Sequence, residues 1–292
     1  MHKHKKISIF TVLNYFLFLI IGIIMVYPFW YVVMYSLSDP SQSSLSSLYL
    51  WPQGFTLESY KYALSKEILF TGFFNSVFLT VVGTLVNVVL TVLLAYPLSR
   101  ENLPGKKYFS AFVVFPMLFN GGMIPTYLVI KEFGLLDSIW SLIVSLAVNV
   151  YNLLILTKFF KSIPESLIEA AKIDGATNSK IFFIIALPLT KVGLVTIILF
   201  MALQYWNDFH LSLYLITKPE MYTVQKLLYN MMANISALLS GSKTVADAAH
   251  ITIPSNTARM VMTMLTVLPV VAFYPFAQKY FVKGVTIGAV KG

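Results

Sequence analysis

Six long apolar stretches, separated by shorter polar ones, dominate the pattern of the chain. Each stretch lacks Lys, Arg, Asp and Glu, except that Asp208 interrupts the fifth; they are residues 7–37, 68–99, 108–130, 138–157, 192–217 and 260–278. A helix needs about 20 consecutive apolar residues to cross the hydrocarbon core of a bilayer. Each such helix satisfies its own backbone groups inside lipid. The pattern therefore predicts an all-α membrane protein with six transmembrane helices.

The composition agrees with this prediction. The chain has 292 residues, of which 58% are hydrophobic and 11% are charged, and its mean hydropathy is +0.77. Soluble domains carry about 25% charged residues. The absence of cysteine excludes disulfides and thiol chemistry. We attribute the net charge of +9 to membrane orientation rather than to nucleic-acid binding, because the basic residues flank the apolar stretches.

The distribution of basic residues predicts the topology. If the N-terminus lies inside, the predicted inner segments hold 14 of the 21 Lys and Arg residues and the outer segments hold 7. The positive-inside rule then places both termini and residues 162–188 in the cytoplasm, with external segments at 38–70 and 217–257. The first apolar stretch is too long for a signal peptide, so we expect it to be retained.

Residues 162–188 form the longest polar stretch on the predicted inner side. Ser162 and Glu165 have the spacing of a capping box at the start of a helix, and Gly175 suits the left-handed residue that ends one. Thr177 to Ser179 then start a second helix, which is expected to end before Leu187 and Pro188. The stretch is predicted to be an amphipathic knob that a soluble partner can hold.

This stretch resembles the EAA signature of membrane subunits of binding-protein-dependent ABC importers. The signature is EAA, three residues, Gly, nine residues and I-x-L-P. The matching residues, which the resemblance implies are coupled to the ATPase, are Glu169, Ala170, Ala171, Asp174, Gly175, Ile185, Leu187 and Pro188. The EAAxxDGA form is similar to the sugar-importing branch. The C-terminal residues 278–292 resemble the terminal signature of the same family, and residues 119–127 resemble its branch for complex or polymer-derived saccharides.

The resemblance implies a fold and a set of partners. The fold is the maltose-permease-like type I importer fold, a single transmembrane domain over residues 1–292 with its core at about 71–282. The implied partners are two ATPase subunits, a second homologous permease in a probable heterodimer, an extracellular solute-binding protein and a saccharide. ATP is bound by the ATPase subunits, so this chain is expected to be no enzyme and to hold no cofactor. The location is the bacterial cytoplasmic membrane.

Two spans carry polar residues at helical spacing. In lipid such stripes face neighbouring helices or a hydrated path. Structural packing and lining of the path both remain open for each stripe, with packing favoured for the second span. The residues are Thr80, Thr84, Asn87 and Thr91 in the second span, and Ser141, Ser145, Asn149 and Asn152 in the fourth.

Two further segments are candidates for the substrate path. Asn120 is followed by two glycines and a nearby proline, which predict a break in the third span and a gate there. The fifth span carries Gln204, Trp206, Asn207 and Asp208, which offer hydrogen-bonding groups and a flat ring for a sugar. A carboxylate in a span is costly and usually faces a cavity or a partner. Hydrogen bonds that fix helix packing are the alternative role.

Other function classes have weaker support. A secondary transporter needs intramembrane charge pairs, and only Asp208 lies within a predicted span. A membrane-embedded enzyme would rely on Asp208 and His210, which are close in sequence and isolated. No Walker-type glycine loop is present, and the four histidines lack metal-ligand spacing. Dependence of uptake on a separate ATPase distinguishes an importer subunit from both alternatives.

Overall fold

A computed structural model describes residues 9–43, 48–239 and 256–289. Within those ranges the chain is helical, and its only strand-like feature is an isolated bridge between Ser38 and Phe55. The helices are α1 Ile9–Ser36, α2 Glu58–Leu64, α3 Glu67–Ser99, α4 Lys106–Leu118, α5 Met123–Glu132, α6 Ile139–Ser145, α7 Val150–Lys161, α8 Glu165–Ile173, α9 Asn178–Leu189, α10 Lys191–Asn207, α11 His210–Leu215, α12 Val224–Leu239 and α13 Asn256–Ala289.

These helices supply six membrane spans. Among the described residues, α1, α3 and the Asn256–Pro275 part of α13 are each long and apolar enough to cross a membrane. Three bent pairs pass the same test together: α4 with α5, α6 with α7, and α9 with α10. Counted with each pair as one span, the described chain has the six spans that the apolar pattern predicts. Three stretches with predicted features lie outside the described ranges: the basic residues 2–6, residues 240–255 of the predicted external segment and the final residues 290–292.

The third span is broken where the sequence predicts a break. The axes of α4 and α5 differ by 116°, and the residues between them include Asn120 and two glycines. The side-chain oxygen of Asn120 accepts a hydrogen bond from the N–H of Gly122, at 2.8 Å. This local contact closes the turn, so the break is built from its own residues.

The fifth span differs from its predicted bounds of 192–217. It consists of α9 and α10, which meet at an angle of 75°, and it ends at Asn207. Asp208 has extended backbone, and α11 is a separate helix after it. The spacing of Gln204, Asn207, Asp208 and Ser212 predicts that they share one face of a continuous helix. They do not, because Asp208 ends the helix rather than interrupting it.

The helix after the EAA residues also continues beyond its predicted end. Residues Ile181–Ala186 form π-helical turns, and the N–H of Leu187 donates to the carbonyl of Phe182, five residues earlier. A wider turn gives the ring of Pro188 room that a regular α-helix would deny it. The helix therefore runs on to Leu189 before the chain bends.

The described residues form two compact units, which we consider separately. The first lies within Met1–Glu67 and Asn230–Leu268. In it, the last turn of α1 is buried while the rest of this apolar helix is largely exposed in the single chain. Tyr35 and Tyr49 are fully buried with ring centroids 4.6 Å apart, and the indole N–H of Trp30 donates to the carbonyl of Leu50. These aromatic contacts hold the segment that follows α1.

The second unit, Ile68–Tyr229 with Pro269–Gly292, contains the main apolar core. The core packs α3 against α6, α7 and α10, through buried side chains such as Leu79, Leu142 and Leu156. Gly83 of α3 faces the ring of Tyr205, where an added Cβ would lie 2.7 Å from the ring. The Tyr205 hydroxyl donates to the carbonyl of Ile143, at 3.1 Å. A side chain at position 83 would therefore disturb a contact that joins three helices.

Candidate translocation path and coupling segment

The EAA residues lie on α8 and on the turn after it. Ile168 is 3% exposed and Ala171 packs against the core, whereas Glu169 and Ala170 are exposed. Gly175 has a φ of +78°, so it takes the left-handed conformation expected after a helix. One face of α8 therefore packs against the core of the second unit, and the opposite face is exposed and available to another protein.

The outward surface of α8 is also apolar. Leu167 is 46% exposed and Ile173 is 86% exposed. Leu167 is thus exposed although the next residue, Ile168, is buried. An exposed isoleucine beside Glu169 and Ala170 gives the surface apolar area that a partner could cover.

The start of this segment differs from the predicted capping box. The Ser162 hydroxyl donates backwards to the carbonyl of Phe159, at 2.7 Å, and Ser162 ends α7. Pro164 occupies the N-cap position of α8 and makes no side-chain cap. The serine is thus used by the preceding helix. By contrast, the Thr177 hydroxyl accepts from the N–H of Lys180, as expected for the start of the next helix.

The remaining EAA residues run into the fifth span. Asp174 is exposed and ends α8, and its N–H donates to the carbonyl of Ala170. Ile185 and Leu187 are half-buried on α9, and Leu187 packs against the core, whereas Pro188 is exposed. The signature therefore joins an exposed surface to the base of a span.

The polar stripe of the second span divides into two parts. The amide of Asn87 donates to the carbonyls of Leu146 and Ala147, at 2.9 and 3.0 Å, and its oxygen accepts from Thr91. Those two carbonyls lie in the gap between α6 and α7. Asn87 and Thr91 therefore have the packing role, because Asn87 satisfies backbone carbonyls that the broken fourth span leaves without a helical partner and Thr91 bonds to the Asn87 side chain.

Thr80 and Thr84 lie in a different setting. They line a cavity of about 600 Å³ between α3, α10 and α13, together with Trp206 and Phe273. Their hydroxyls are shielded and make no hydrogen bond within the described part of the chain. Apart from these two hydroxyls and the indole of Trp206 the wall is apolar, so the cavity offers a saccharide few hydrogen-bonding groups.

The fourth span is broken rather than continuous, which corrects the single-face prediction for its polar residues. α6 and α7 differ in direction by 52°. Ser141 and Ser145 bond to backbone carbonyls within their own turns, and Asn149 caps α7 by accepting from the N–H of Asn152. These polar residues stabilise the ends of two short helices.

The predicted substrate residues are separated into an amide group and an aromatic residue. Asn149 donates to Gln204 at 3.3 Å, and Gln225 donates to Asn207 at 3.3 Å. We call these four residues the amide cluster. Trp206, in contrast, is 7% exposed, lies edge-on to Phe73 and borders the apolar cavity. The indole therefore lies away from the exposed amides beside it in sequence.

Asp208 lies where α10 gives way to α11. One carboxylate oxygen accepts a long hydrogen bond, 3.5 Å, from the N–H of Leu211. The other oxygen and the nearby Ser212 hydroxyl are shielded and unpaired within the described ranges. Asp208 thus hydrogen-bonds to the first turn of α11, and its second carboxylate oxygen has no hydrogen-bond partner within the described residues.

Two residues that the sequence analysis missed organise the region after α11. Lys226 is 4% exposed. Its ammonium donates to the carbonyls of Ser212 and Ile216 at the end of α11. The same ammonium lies 4.3 Å from the ring centroid of Tyr222. A buried lysine at a helix C-terminus is favourable because it meets unpaired carbonyls and the negative end of the helix dipole. Lys226 belongs to the polar segment after residue 217, so the sequence alone does not predict that it is buried.

Asp137 is the second missed residue. It has a φ of +56°, and its carboxylate accepts hydrogen bonds from the N–H and hydroxyl of Thr217 and from the N–H of Lys218. The backbone hydrogen bond from Thr217 holds the pKa of this carboxyl below its usual range. Asp137 therefore ties the turn before α6 to the segment after α11. An Asp after Gly134-Leu-Leu in the sequence suggested only a turn.

Replacing Lys226 with methionine is expected to destabilise the region after α11. The substitution leaves the carbonyls of Ser212 and Ile216 without their donor, at a cost of about 1–3 kcal/mol. Thermal unfolding of the detergent-solubilised complex measures the loss. Lys218→Met is the matched control, because Lys218 is exposed and its hydrogen bonds within the described residues come from its backbone, which the substitution keeps. Equal melting temperatures for the two variants would contradict the capping role.

The same lysine predicts a pH dependence. Burial lowers the pKa of Lys226 to about 8, whereas the pKa of a free lysine is about 10.4. Between these values the unfolded chain holds a proton that the folded chain has released. The fold is therefore expected to gain stability as pH rises from 8 to 10, and the Lys226→Met variant is expected to lack that gain.

Comparisons with known proteins decide the family. Residues 87–287 match the family described as the binding-protein-dependent transport system inner membrane component. The chain belongs to this family. It is thus the membrane component of a binding-protein-dependent ABC importer and a multi-pass protein of the bacterial cell membrane.

Relatives of this permease match along its whole length. It is 40% identical over 287 residues to the polygalacturonan/rhamnogalacturonan transport system permease protein YtcP of Bacillus subtilis strain 168, covering 98% of this chain and 100% of that protein. It is 38% identical over 292 residues to Protein LplC of the same strain, covering 100% of this chain and 98% of that protein.

A solved structure confirms the predicted fold of the permease. The fold matches a chain in the crystal structure of a bacterial ABC transporter involved in the import of the acidic polysaccharide alginate. The TM-score is 0.82 at 28% sequence identity, over 96% of this chain and 99% of that one. The ABC importer permease fold that the EAA resemblance implied is therefore confirmed.

Proposed function

We propose that this permease carries a polysaccharide-derived oligosaccharide into the cell. The observation that carries the proposal is the full-length similarity to YtcP, whose name specifies polygalacturonan and rhamnogalacturonan, together with the fold shared with the alginate importer. An extracellular solute-binding protein delivers the sugar. A second, homologous permease completes the path, so that the pair is a heterodimer.

The amide cluster supports a place for the sugar in this path. Asn207 is exposed and Gln225 is half-buried, so both can exchange their mutual hydrogen bond for hydroxyl or carboxylate groups of a sugar. Next to them, the ring of Phe209 stacks on His210 and on Tyr229, with centroids 4.0 and 5.3 Å apart. Tyr229 is exposed and offers a flat face to a pyranose ring. Asn120 at the break of the third span and Asp208 beside the cluster remain proposed path residues.

Transport is driven by two separate ATPase subunits that hold the ATP, so this chain needs no cofactor. The outward surface of α8, with Glu169, Ala170 and Ile173, is the proposed docking site. Both termini and this surface then face the cytoplasm. ATP binding brings the ATPases together and displaces α8, and the permease pair changes between inward- and outward-facing states. The nucleotide shifts this equilibrium because the ATPases bind the two states with different affinity.

Copurification tests the proposed assembly. The chain, tagged and solubilised gently from its own membrane, is expected to retain an ATPase and a second permease. Glu169→Lys is expected to lower the recovered ATPase at least tenfold, because it reverses a charge at the docking surface without touching the core. Glu132→Lys is the control, since Glu132 is an equally exposed carboxylate at the end of α5.

Uptake by the reconstituted complex tests the substrate. Oligogalacturonides presented with the cognate binding protein are expected to enter proteoliposomes only when ATP is supplied to the ATPases. Maltodextrins of equal length serve as the neutral comparison. A chain that purifies alone and transports without ATP would overturn the importer proposal in favour of a secondary carrier.

A further inference from the structure

Arg100 connects the end of α3 to the coupling segment. It follows the last residue of α3, and its Nη1 lies 3.9 Å from Oε2 of Glu165, the first residue of α8. Within the described ranges this is the only ion pair. Neither residue belongs to the EAA signature, so the sequence pattern does not predict that they act together.

An aromatic group holds the guanidinium of Arg100 in place. Its Cζ lies 4.5 Å from the ring centroid of Tyr96, one turn earlier on α3. Tyr96 in turn contacts Phe160 and Phe182, with ring centroids 5.4 and 4.8 Å apart. Phe160 lies near the end of α7 and Phe182 lies on α9. Tyr96 therefore joins the three spans that surround α8, and Arg100 covers the outer side of its ring.

The setting of Arg100 differs from that of an ordinary surface ion pair. Its side chain is 21% exposed, and its Nε and Nη2 are shielded from solvent with no acceptor among the described residues. Lys106 further fixes the turn by donating from its Nζ to the carbonyl of Arg100, at 2.7 Å. Exposed pairs of long side chains are weak because both partners must be ordered. The Glu165 side chain is 61% exposed, so the order of the pair comes from the arginine: Tyr96 and the turn hold the guanidinium in a position from which it can attract Glu165.

The chain alone would not pass a movement of α8 to α3. α8 is covalently joined to α7 before it and to α9 after it. α3 is connected to α8 only through packing, and it carries Asn87, which holds the break of the fourth span, and the two threonines of the cavity wall. A direct contact between α8 and α3 therefore ties the second span to the coupling segment itself, whereas the rings of Phe160 and Phe182 tie Tyr96 only to the spans on either side of it.

We propose that Arg100 is a positioning residue that makes α3 and the coupling helix α8 move as one body during transport. We call the ion pair with Glu165 the joint, because it links the two helices. The rings of Tyr96, Phe160 and Phe182 hold Arg100 in position for it. This proposal rests on the proposed docking of ATPases on α8. Breaking the joint leaves the ATPases bound but prevents their movement from reaching α3.

Charge reversal gives the first test. Arg100→Glu and Glu165→Arg are each expected to keep the ATPase in the purified complex and to retain basal ATP hydrolysis. Each is expected to lower ATP-dependent uptake, and the stimulation of hydrolysis by loaded binding protein, at least tenfold. The double reversal is expected to restore at least half of both. Lys107→Glu is the control, because Lys107 is exposed nearby and forms no ion pair within the described ranges.

The absence of cysteine from the chain permits a sharper test. A variant with Arg100→Cys and Glu165→Cys is expected to transport poorly, and to recover when a short bifunctional thiol reagent bridges the two positions. The reagent applied to either single variant is expected to restore nothing. Uptake that stays low or falls further after bridging would show that α8 and α3 move apart during the cycle, and would overturn the proposal.

The docking of the ATPases on α8 and the joint at Arg100 are distinguished by different outcomes. If the unsubstituted chain retains no ATPase, the proposed docking function fails. If the ATPase is retained and uptake requires ATP, but both single reversals transport normally, only the role of Arg100 fails. Loss of the ATPase from the single reversals alone would place Arg100 in docking rather than in transmission, and would equally refute the proposed joint.

Discussion

Replacing Gly175 with aspartate is expected to abolish saccharide uptake while the protein still inserts into the membrane. The φ of +78° costs an ordinary side chain about 1–2 kcal/mol, so the turn after α8 is strained. The new carboxylate also lies beside the surface that the ATPase is proposed to cover, where an unpaired buried charge costs about 3 kcal/mol or more. The unpaired charge at the docking surface alone predicts at least a 100-fold fall in ATP-dependent uptake, since about 1.4 kcal/mol corresponds to a factor of ten.

Gly134→Asp is the matched control for this prediction. Gly134 has a φ of +66° and, like Gly175, has open space where a Cβ would lie. It therefore carries the same backbone strain in a turn between α5 and α6, away from the coupling segment. Expression level and detergent stability are measured for both variants alongside uptake. Equal loss of uptake in the two would mean that strain alone is responsible, and normal uptake in Gly175→Asp would refute the coupling role.

Replacing Asn87 with leucine is expected to have the second large effect. Leucine fills nearly the same volume but leaves the carbonyls of Leu146 and Ala147 without their donor. Asn87 is fully buried, and each unsatisfied buried group costs about 1–3 kcal/mol. The gap between α6 and α7 is then expected to lose its fixed geometry, which lowers both the melting temperature and the uptake of the reconstituted complex.

Thr91→Val separates this effect from a general loss of polarity in α3. The Thr91 hydroxyl donates only to the side-chain oxygen of Asn87, so its removal leaves both carbonyls paired. We expect a small change in melting temperature for Thr91→Val and a large one for Asn87→Leu. The prediction fails if the threonine variant is as unstable as the asparagine variant, because the stripe would then act through its own hydrogen bonds rather than through the break.

The sequence predicted the local conformation of residues 162–188 more accurately than it predicted the arrangement of the polar residues in the fifth span. Gly175, Thr177 and the buried Ile168 follow from local rules on helix ends and helix faces, which depend on nearby residues alone. Ser162 failed the same kind of rule because two helices compete for one hydroxyl, and α7 receives it. The polar residues of the fifth span do not share a face because Asp208 ends α10, and their place in the substrate path stays a prediction.

The breaks in the spans show the same division. Asn120 and the following glycines signalled the break in the third span, since they are poor helix formers next to one another. The fourth span has no glycine or proline between α6 and α7, and its break is supported from α3 by Asn87. A residue 59 or 60 positions away in the chain cannot be recognised from the local pattern.

By itself, the sequence determined the number of spans, the membrane class and the family, because apolar length and the EAA spacing are properties of short stretches; the coupling role of residues 162–188 stays a prediction. Only the tertiary structure decided which polar residues serve packing and which stay available. Asn87 satisfies distant carbonyls, Lys226 is buried against the end of α11, and Arg100 meets Glu165 across 65 residues. Each of these roles depends on a partner that the fold, and not the adjacent sequence, brings within reach.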